Sequence, residues 1–234
     1  MIFGKFFREN FNFSISEWSS PLPVKGGMAV IVLYCALNLL LPKCFTSLFV
    51  QLTAGAGSAF LVLCIFLRMT PGKISDLCSF RKIANGSTYK VGGALFLTLL
   101  FSFICFYWSC ELFKFLGISV SKEQVLAGSL KNALLYEKII IAFVTILLAP
   151  VGEEIIFRRM LYGILSPLGA VKALLLTSIL FSVIHFYLAG MAGLFFFAII
   201  LQLLYMNTRN IWCPILLHML INALSFTSLL ANQS

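Results

Sequence analysis

The polar residues that could perform chemistry lie within long apolar stretches of the second half of the chain. One stretch carries Glu153, Glu154 and Arg158, and the only two histidines, His185 and His218, lie in two others. An ionisable group inside a membrane costs about 3 kcal/mol even on the most lenient scale. Such groups persist where they are paired or hydrated in the interior of a bundle, so these five residues are candidates for a functional site.

Helical spacing pairs one of the two carboxylates with a cation. Glu154 and Arg158 are four residues apart, so the two side chains share one helix face and can neutralise each other. Glu153 points about 100° away around the helix and remains free for another task. A carboxylate in an apolar pocket suits proton transfer near neutral pH, because poor hydration disfavours its charged form.

The two histidines show the same spacing. His218 and Asn222 are four residues apart, and so are Phe181 and His185. An imidazole and an amide that face one neighbour could stabilise an oxyanion, typically by about 3 kcal/mol per donor. Alternatively, Glu153, His185 and His218 could supply the three ligands of an open catalytic zinc site, in which case the ligands come from separate spans. The residues leave both possibilities open.

Composition indicates that these stretches are membrane spans. Hydrophobic residues make up 61% of the 234-residue chain and charged residues only 11%, against about 25% charged in a soluble domain. The net charge of +9 lies mostly between apolar stretches, so it fits membrane topology, and we expect no nucleic-acid partner. The odd number of cysteines, seven, argues against a disulfide framework.

The apolar runs predict an all-α, polytopic transmembrane bundle of seven or eight spans. Residues 1–25 are predicted to lie at the membrane surface or to be disordered, and residues 26–230 to form a single bundle. The fourth span is too long for a ~30 Å hydrocarbon core, so we expect a tilt or a break at Pro150. The seven predicted spans are 26–41, 45–67, 91–110, 139–165, 173–189, 190–206 and 211–230.

The distribution of Lys and Arg predicts a cytoplasmic N-terminus. With that orientation the inside segments hold Lys5, Arg8, Lys25, Arg68, Lys73, Arg81, Lys82, Lys90, Lys172 and Arg209, and the outside segments hold only Lys43, Lys114, Lys122, Lys131 and Lys138. At ~1.5 Å per residue, the candidate residues of three spans fall at similar depths, between about 9 and 18 Å from the cytoplasmic edge. The sequence therefore predicts one shared intramembrane site.

Three motifs in this region resemble those of the CAAX-protease and bacteriocin-processing (CPBP) family. They are EExxxR at Glu153–Arg158, FxxxH at Phe181–His185 and HxxxN at His218–Asn222. Their order, spacing and placement in apolar stretches all agree with the family. The resemblance covers residues 139–230, which it implies are the catalytic core.

The resemblance implies an intramembrane endopeptidase in which Glu153 activates a water molecule that His185 helps to hold. His218 and Asn222 would stabilise the oxyanion, and Glu154 and Arg158 would orient the site. Some members are called metalloproteases, so zinc is a candidate cofactor. The implied partners are membrane lipid and a peptide or protein substrate. The small size and compactness of the chain suggest a bacterial plasma membrane. The oligomeric state stays open.

Two other functions remain as alternatives. The chain could be a non-proteolytic immunity or scaffold protein of the same family, in which case it would keep its function without Glu153. It could instead be a small transporter that uses buried Glu and His residues as proton relays. Transporters usually contain an inverted repeat, and the sequence shows no internal repeat, which disfavours this alternative.

Overall fold

The structure is a computed structural model that describes residues 87–119 and 133–231, together with the isolated positions 29, 31–34, 36, 64, 130 and 131. The predicted N-terminal segment 1–25 lies outside the described residues. So do the first two predicted spans, apart from those isolated positions.

Residues 87–119 and 133–231 form five main helices without a strand, which confirms the all-α class. Four of these helices are long and apolar enough to cross a membrane, and α3 is shorter. The prediction of seven or eight spans is therefore not confirmed by the part of the chain that the structure describes. The helices are α1 (Ser87–Phe115), α2 (Leu135–Leu168), α3 (Ala170–Val183), α4 (Met191–Thr208) and α5 (Trp212–Ala231).

Helix α2 continues through Pro150, so of the two expected alternatives, a tilt or a break, the break does not occur. The residues on its N-terminal side, Leu148 and Ala149, keep right-handed helical dihedral angles. A proline lacks an N–H, and its ring crowds the carbonyl four residues earlier in an α-helix. Helix α2 accommodates it with a wider π-helical stretch, Phe143–Leu148, directly before the α-helical stretch Ala149–Glu154. A second π-helical stretch, Ile155–Leu161, follows.

The expected fifth span, 173–189, is also wrong, because α3 ends at Val183. Its 14 residues are about 21 Å long at ~1.5 Å per residue, which is shorter than the membrane core. Phe186 adopts a left-handed conformation with φ of 48°, and the ring nitrogen Nδ1 of His185 lies 2.7 Å from the Phe181 carbonyl oxygen. His185 therefore occupies the turn after α3, where its side chain caps the helix, and not a membrane span.

Helix α4 lies at the centre of the described bundle, where it packs against α1, α3 and α5. Its side chains Ala198 and Leu201 are fully buried. The turn before α4 requires Gly190, since any side chain there would collide with the ring of Tyr187.

Helix α5 packs against the first π-helical stretch of α2 and the α-helical stretch that follows it. At its start the Trp212 N–H donates to the Asn210 side-chain oxygen at 3.0 Å, as in a helix N-cap. This packing brings the polar residues of α5 against those of α2.

Large apolar side chains cover much of the outside of the described bundle. On α1, Phe103 is 74% exposed and Trp108 is 67% exposed. Exposed apolar surface of this extent is unusual in a soluble monomer and is expected where helices face lipid. The fold is therefore that of an integral membrane protein.

Candidate active site

A buried ion pair stands beside the site, on one face of α2. Arg158 Nε donates to Glu154 Oε2 at 2.8 Å, and Nη2 donates to Oε1 at 3.4 Å. Both side chains are fully buried. The second π-helical stretch begins directly after Glu154, so the predicted one-turn pairing forms across a locally widened helix.

Glu154 also contacts a histidine from another helix. His218 on α5 donates from Nδ1 to Glu154 Oε1 at 3.0 Å. A carboxylate that is paired with a guanidinium can only accept a hydrogen bond, so Nδ1 carries the proton and Nε2 of a neutral ring has a free lone pair. His185 has the same tautomer, since its Nδ1 donates to the Phe181 carbonyl.

Glu153 lies between the two free ring nitrogens. Its Oε2 atom is 3.9 Å from Nε2 of His185 and 3.9 Å from Nε2 of His218. Among the described residues this oxygen is buried without a hydrogen-bond partner. Three acceptor atoms from α2, the turn after α3 and α5 therefore converge, too far apart for direct hydrogen bonds but within reach of one bridging donor.

The aromatic ring of Phe181 connects these groups. It is fully buried, and its centroid lies 4.7 Å from that of His185 and 5.9 Å from that of His218. The guanidinium carbon of Arg158 lies 4.9 Å from the same centroid, which is within the range of a cation–π contact. Phe197 of α4 packs edge-on against His218 at 5.1 Å. Sequence reasoning missed Phe197, because nothing marks it among the 24 phenylalanines of the chain.

Asn222 contacts a different part of α2 from its motif partner His218. Its side-chain nitrogen donates to the backbone carbonyl of Thr145 at 2.8 Å. Thr145 lies nine residues before Glu154, so His218 and Asn222 face the same helix but not the same neighbour, contrary to the expectation from their spacing. Sequence reasoning also missed Thr145, for which the available signal was its position five residues before Pro150.

The structure thus brings five of the six predicted residues into one cluster: Glu153, Glu154, Arg158, His185 and His218. Asn222 lies on the same face of α5 as His218, with its amide turned toward Thr145. The roles that the family resemblance implies for these residues stay predictions.

The donor types of the cluster suit zinc, but their spacing does not. A carboxylate and two imidazoles whose Nδ1 atoms are held by acceptors are typical of catalytic zinc sites. Ligand atoms at ~2.0–2.1 Å from a tetrahedral zinc lie about 3.4 Å apart, whereas the distances here are 3.9 Å. Within the described ranges, no group of three or more His, Cys, Asp or Glu residues is arranged as a metal site. The metalloprotease prediction is not supported.

Comparison with known families identifies this region. Residues 135–224 match the family model described as type II CAAX prenyl endopeptidase Rce1-like. The match contains all of α2 and most of α5, and it includes every residue of the cluster. The predicted resemblance is confirmed for residues 135–224, which match this CAAX-type protease family. No curated protein and no solved structure gave a match.

Proposed function

We propose that this chain is an intramembrane endopeptidase that hydrolyses a peptide bond with a water molecule activated by Glu153. The observation that carries the proposal is the position of Glu153 Oε2, which is buried, unpartnered among the described residues and 3.9 Å from two imidazole nitrogens. A water molecule at this point can donate one hydrogen to the carboxylate and the other to an imidazole. Its oxygen lone pair is then directed away from the three acceptors and toward a substrate.

In the proposed reaction Glu153 removes a proton from the water as its oxygen attacks the carbonyl carbon of the scissile bond. The carbonyl oxygen becomes negatively charged in the tetrahedral intermediate. Collapse of this intermediate breaks the C–N bond, and the proton held by Glu153 passes to the leaving amine. The products are a carboxylic acid and an amine, so protons and atoms balance.

The other residues of the cluster act on the charges that form. Nε2 of His218 can donate to an oxyanion only when the ring carries both protons, and the Glu154 carboxylate at Nδ1 provides the counter-charge for that state. Arg158 balances Glu154 in turn. His185 holds the water with the lone pair of Nε2, since its Nδ1 is occupied by the Phe181 carbonyl. In this proposal the second amide hydrogen of Asn222 also donates to the oxyanion.

The proposed substrate is a peptide or protein that reaches the site from the membrane. Lipid surrounds the bundle, and the Lys and Arg distribution supports a cytoplasmic N-terminus. A bacterial plasma membrane is the proposed location. The name of the matching family refers to prenylated substrates, but no contact in the cluster is specific for a prenyl group.

Replacement of Glu153 tests the proposal. The purified protein is reconstituted in liposomes with a library of membrane-active peptides, and the products are identified by mass spectrometry. We expect Glu153→Gln, which keeps the shape and removes the base, to lower cleavage about 10²- to 10⁴-fold. Glu137→Gln is the matched control on the same helix, because a glutamine oxygen can still accept the Leu134 N–H that Glu137 accepts at 2.8 Å.

Unchanged cleavage by Glu153→Gln would contradict the mechanism. If the wild type cleaves nothing and the cellular phenotype survives Glu153→Gln, the non-proteolytic immunity or scaffold function is favoured. Metal analysis of the same preparations tests zinc. If the wild type binds one zinc per chain and His185→Ala does not, a zinc mechanism is favoured over the proposed mechanism without a metal.

A further inference from the structure

The carbonyl of Thr145 lacks both of the donors that an α-helix or a π-helix would normally provide. In an α-helix this carbonyl would accept from the N–H of Ala149, and in a π-helix from that of residue 150. The Ala149 N–H donates instead to the Val144 carbonyl, five residues earlier. Residue 150 is proline and has no N–H. The π-helical stretch and Pro150 together free the Thr145 carbonyl for a donor from outside α2.

Asn222 is that donor. Its side-chain nitrogen lies 2.8 Å from the Thr145 carbonyl oxygen, and 77 residues of chain separate the two. A carbonyl left without a donor in an apolar interior is unfavourable, so the contact favours one orientation of the Asn222 amide. The Thr145 side chain does not compete, because its hydroxyl donates to the Ile141 carbonyl at 2.7 Å.

We propose that Pro150 and Thr145 are positioning residues that act through Asn222. Pro150 leaves the Thr145 carbonyl free, and this carbonyl binds one amide hydrogen of Asn222. The second hydrogen is then held in a fixed direction. This inference rests on the proposed function for its catalytic consequence, but the contact itself can be tested without any substrate.

A double-mutant cycle in unfolding temperature provides the test. Asn222→Ala leaves the Thr145 carbonyl unsatisfied, so we expect the unfolding temperature in detergent to fall by several degrees. In the Pro150→Ala background a backbone N–H becomes available to that carbonyl, whether the segment stays π-helical or becomes α-helical. Asn222→Ala should then lower the unfolding temperature by less than half as much. Equal losses in both backgrounds would overturn the proposal.

Pro214→Ala is the matched control. Pro214 lies in the first turn of α5, where a proline is tolerated, and it takes no part in the contact between Asn222 and Thr145. Its replacement should therefore change the unfolding temperature independently of Asn222. Coupling of Asn222 to Pro214 as large as that to Pro150 would show a general effect of proline removal and would overturn the proposal.

Infrared spectroscopy keeps the proposal testable if Pro150→Ala does not fold. In protein labelled with carbonyl-¹³C threonine, Asn222→Ala should move one labelled amide band to higher wavenumber, because the Thr145 carbonyl loses its hydrogen bond. An unchanged spectrum would overturn the proposal.

Cleavage kinetics test the catalytic consequence. Pro150→Ala should lower kcat about tenfold with little change in KM, since a donor in the transition state is misplaced. It should cause no further loss in the Asn222→Ala background, and additive losses would contradict the positioning role. If the wild type cleaves no peptide, the proposed function fails, while the unfolding and infrared results still decide whether Pro150 and Thr145 hold Asn222.

Discussion

Glu154 is the residue that joins the two helices of the site. Both of its oxygens accept from Arg158 on its own helix, and Oε1 also accepts from His218 on α5. All three side chains are almost completely buried, so each depends on the others for its hydrogen bonds. Glu153, one residue earlier, has no such partner among the described residues and faces the two imidazoles. Two adjacent glutamates therefore have different environments.

The buried pair predicts a large effect of removing one partner. We expect Glu154→Ala to destabilise the protein by about 3–5 kcal/mol, because the Arg158 cation would stay buried without its counter-charge. The measurement is the unfolding temperature and the yield of folded protein in detergent. The double variant Glu154→Ala/Arg158→Met should recover part of the loss, since it also removes the buried cation.

Glu111 on α1 is the matched control for this prediction. It also lies near a cation of the next turn, with Oε2 4.0 Å from Lys114 Nζ, but both side chains are exposed. An exposed pair contributes little to stability, so Glu111→Ala should leave the unfolding temperature nearly unchanged. If both glutamate variants behave alike, the buried contacts of Glu154 do not stabilise the fold.

The turn after α3 is the element that positions His185. Phe186 in this turn is 68% exposed and adopts a left-handed backbone conformation, which costs an L-residue roughly 1–2 kcal/mol. Two residues later, the short 3₁₀ turn Leu188–Gly190 begins, and it leads into α4. The site therefore depends on a tight connection whose central residue is conformationally unfavourable.

Two substitutions at Phe186 separate the backbone from the side chain. Phe186→Gly removes the conformational cost and should keep cleavage within a few-fold of the wild type. Phe186→Ile places a β-branched residue in the left-handed region, which is strongly disfavoured, and should lower cleavage at least tenfold by moving His185. Cleavage by the purified variants is the measurement. The reverse order of activities would mean that the Phe186 ring, and not the turn, is what matters.

At the scale of the whole molecule, α2 is the helix that holds the glutamates of the site, and its length is sufficient to cross a membrane. It is the longest of the described helices, at 34 residues, and its two ends must lie on opposite sides if it spans the bilayer. The positive charges predict which side is which: the region of Lys138 outside and that of Lys172 inside.

Labelling with a membrane-impermeant maleimide tests this orientation. In intact cells, Tyr136→Cys near the start of α2 should react, and Lys172→Cys near the start of α3 should react only after permeabilisation. The unmodified protein, which already contains seven cysteines, gives the background. Reaction of Lys172→Cys alone in intact cells would reverse the predicted orientation, and reaction of both would mean that α2 does not cross the membrane.

Local patterns in the sequence were sufficient for the class of protein and for the residue types of the site. Apolar runs predict helices because each helix must satisfy its own backbone in lipid. The i,i+4 spacing predicts the Glu154–Arg158 pair, because that contact depends on one helix alone. The three motifs and the family resemblance follow from the same local information.

Only the tertiary structure decided the contacts between helices. The packing of α5 against α2 decides that His218 binds Glu154 and that Asn222 binds the Thr145 carbonyl, because helical periodicity does not determine which side chains of two helices meet. The end of α3 at Val183 and the continuation of α2 through Pro150 follow from backbone hydrogen bonds. The side chains of His185 and Asn222 donate to the backbone carbonyls of Phe181 and Thr145, and helical periodicity does not predict either contact.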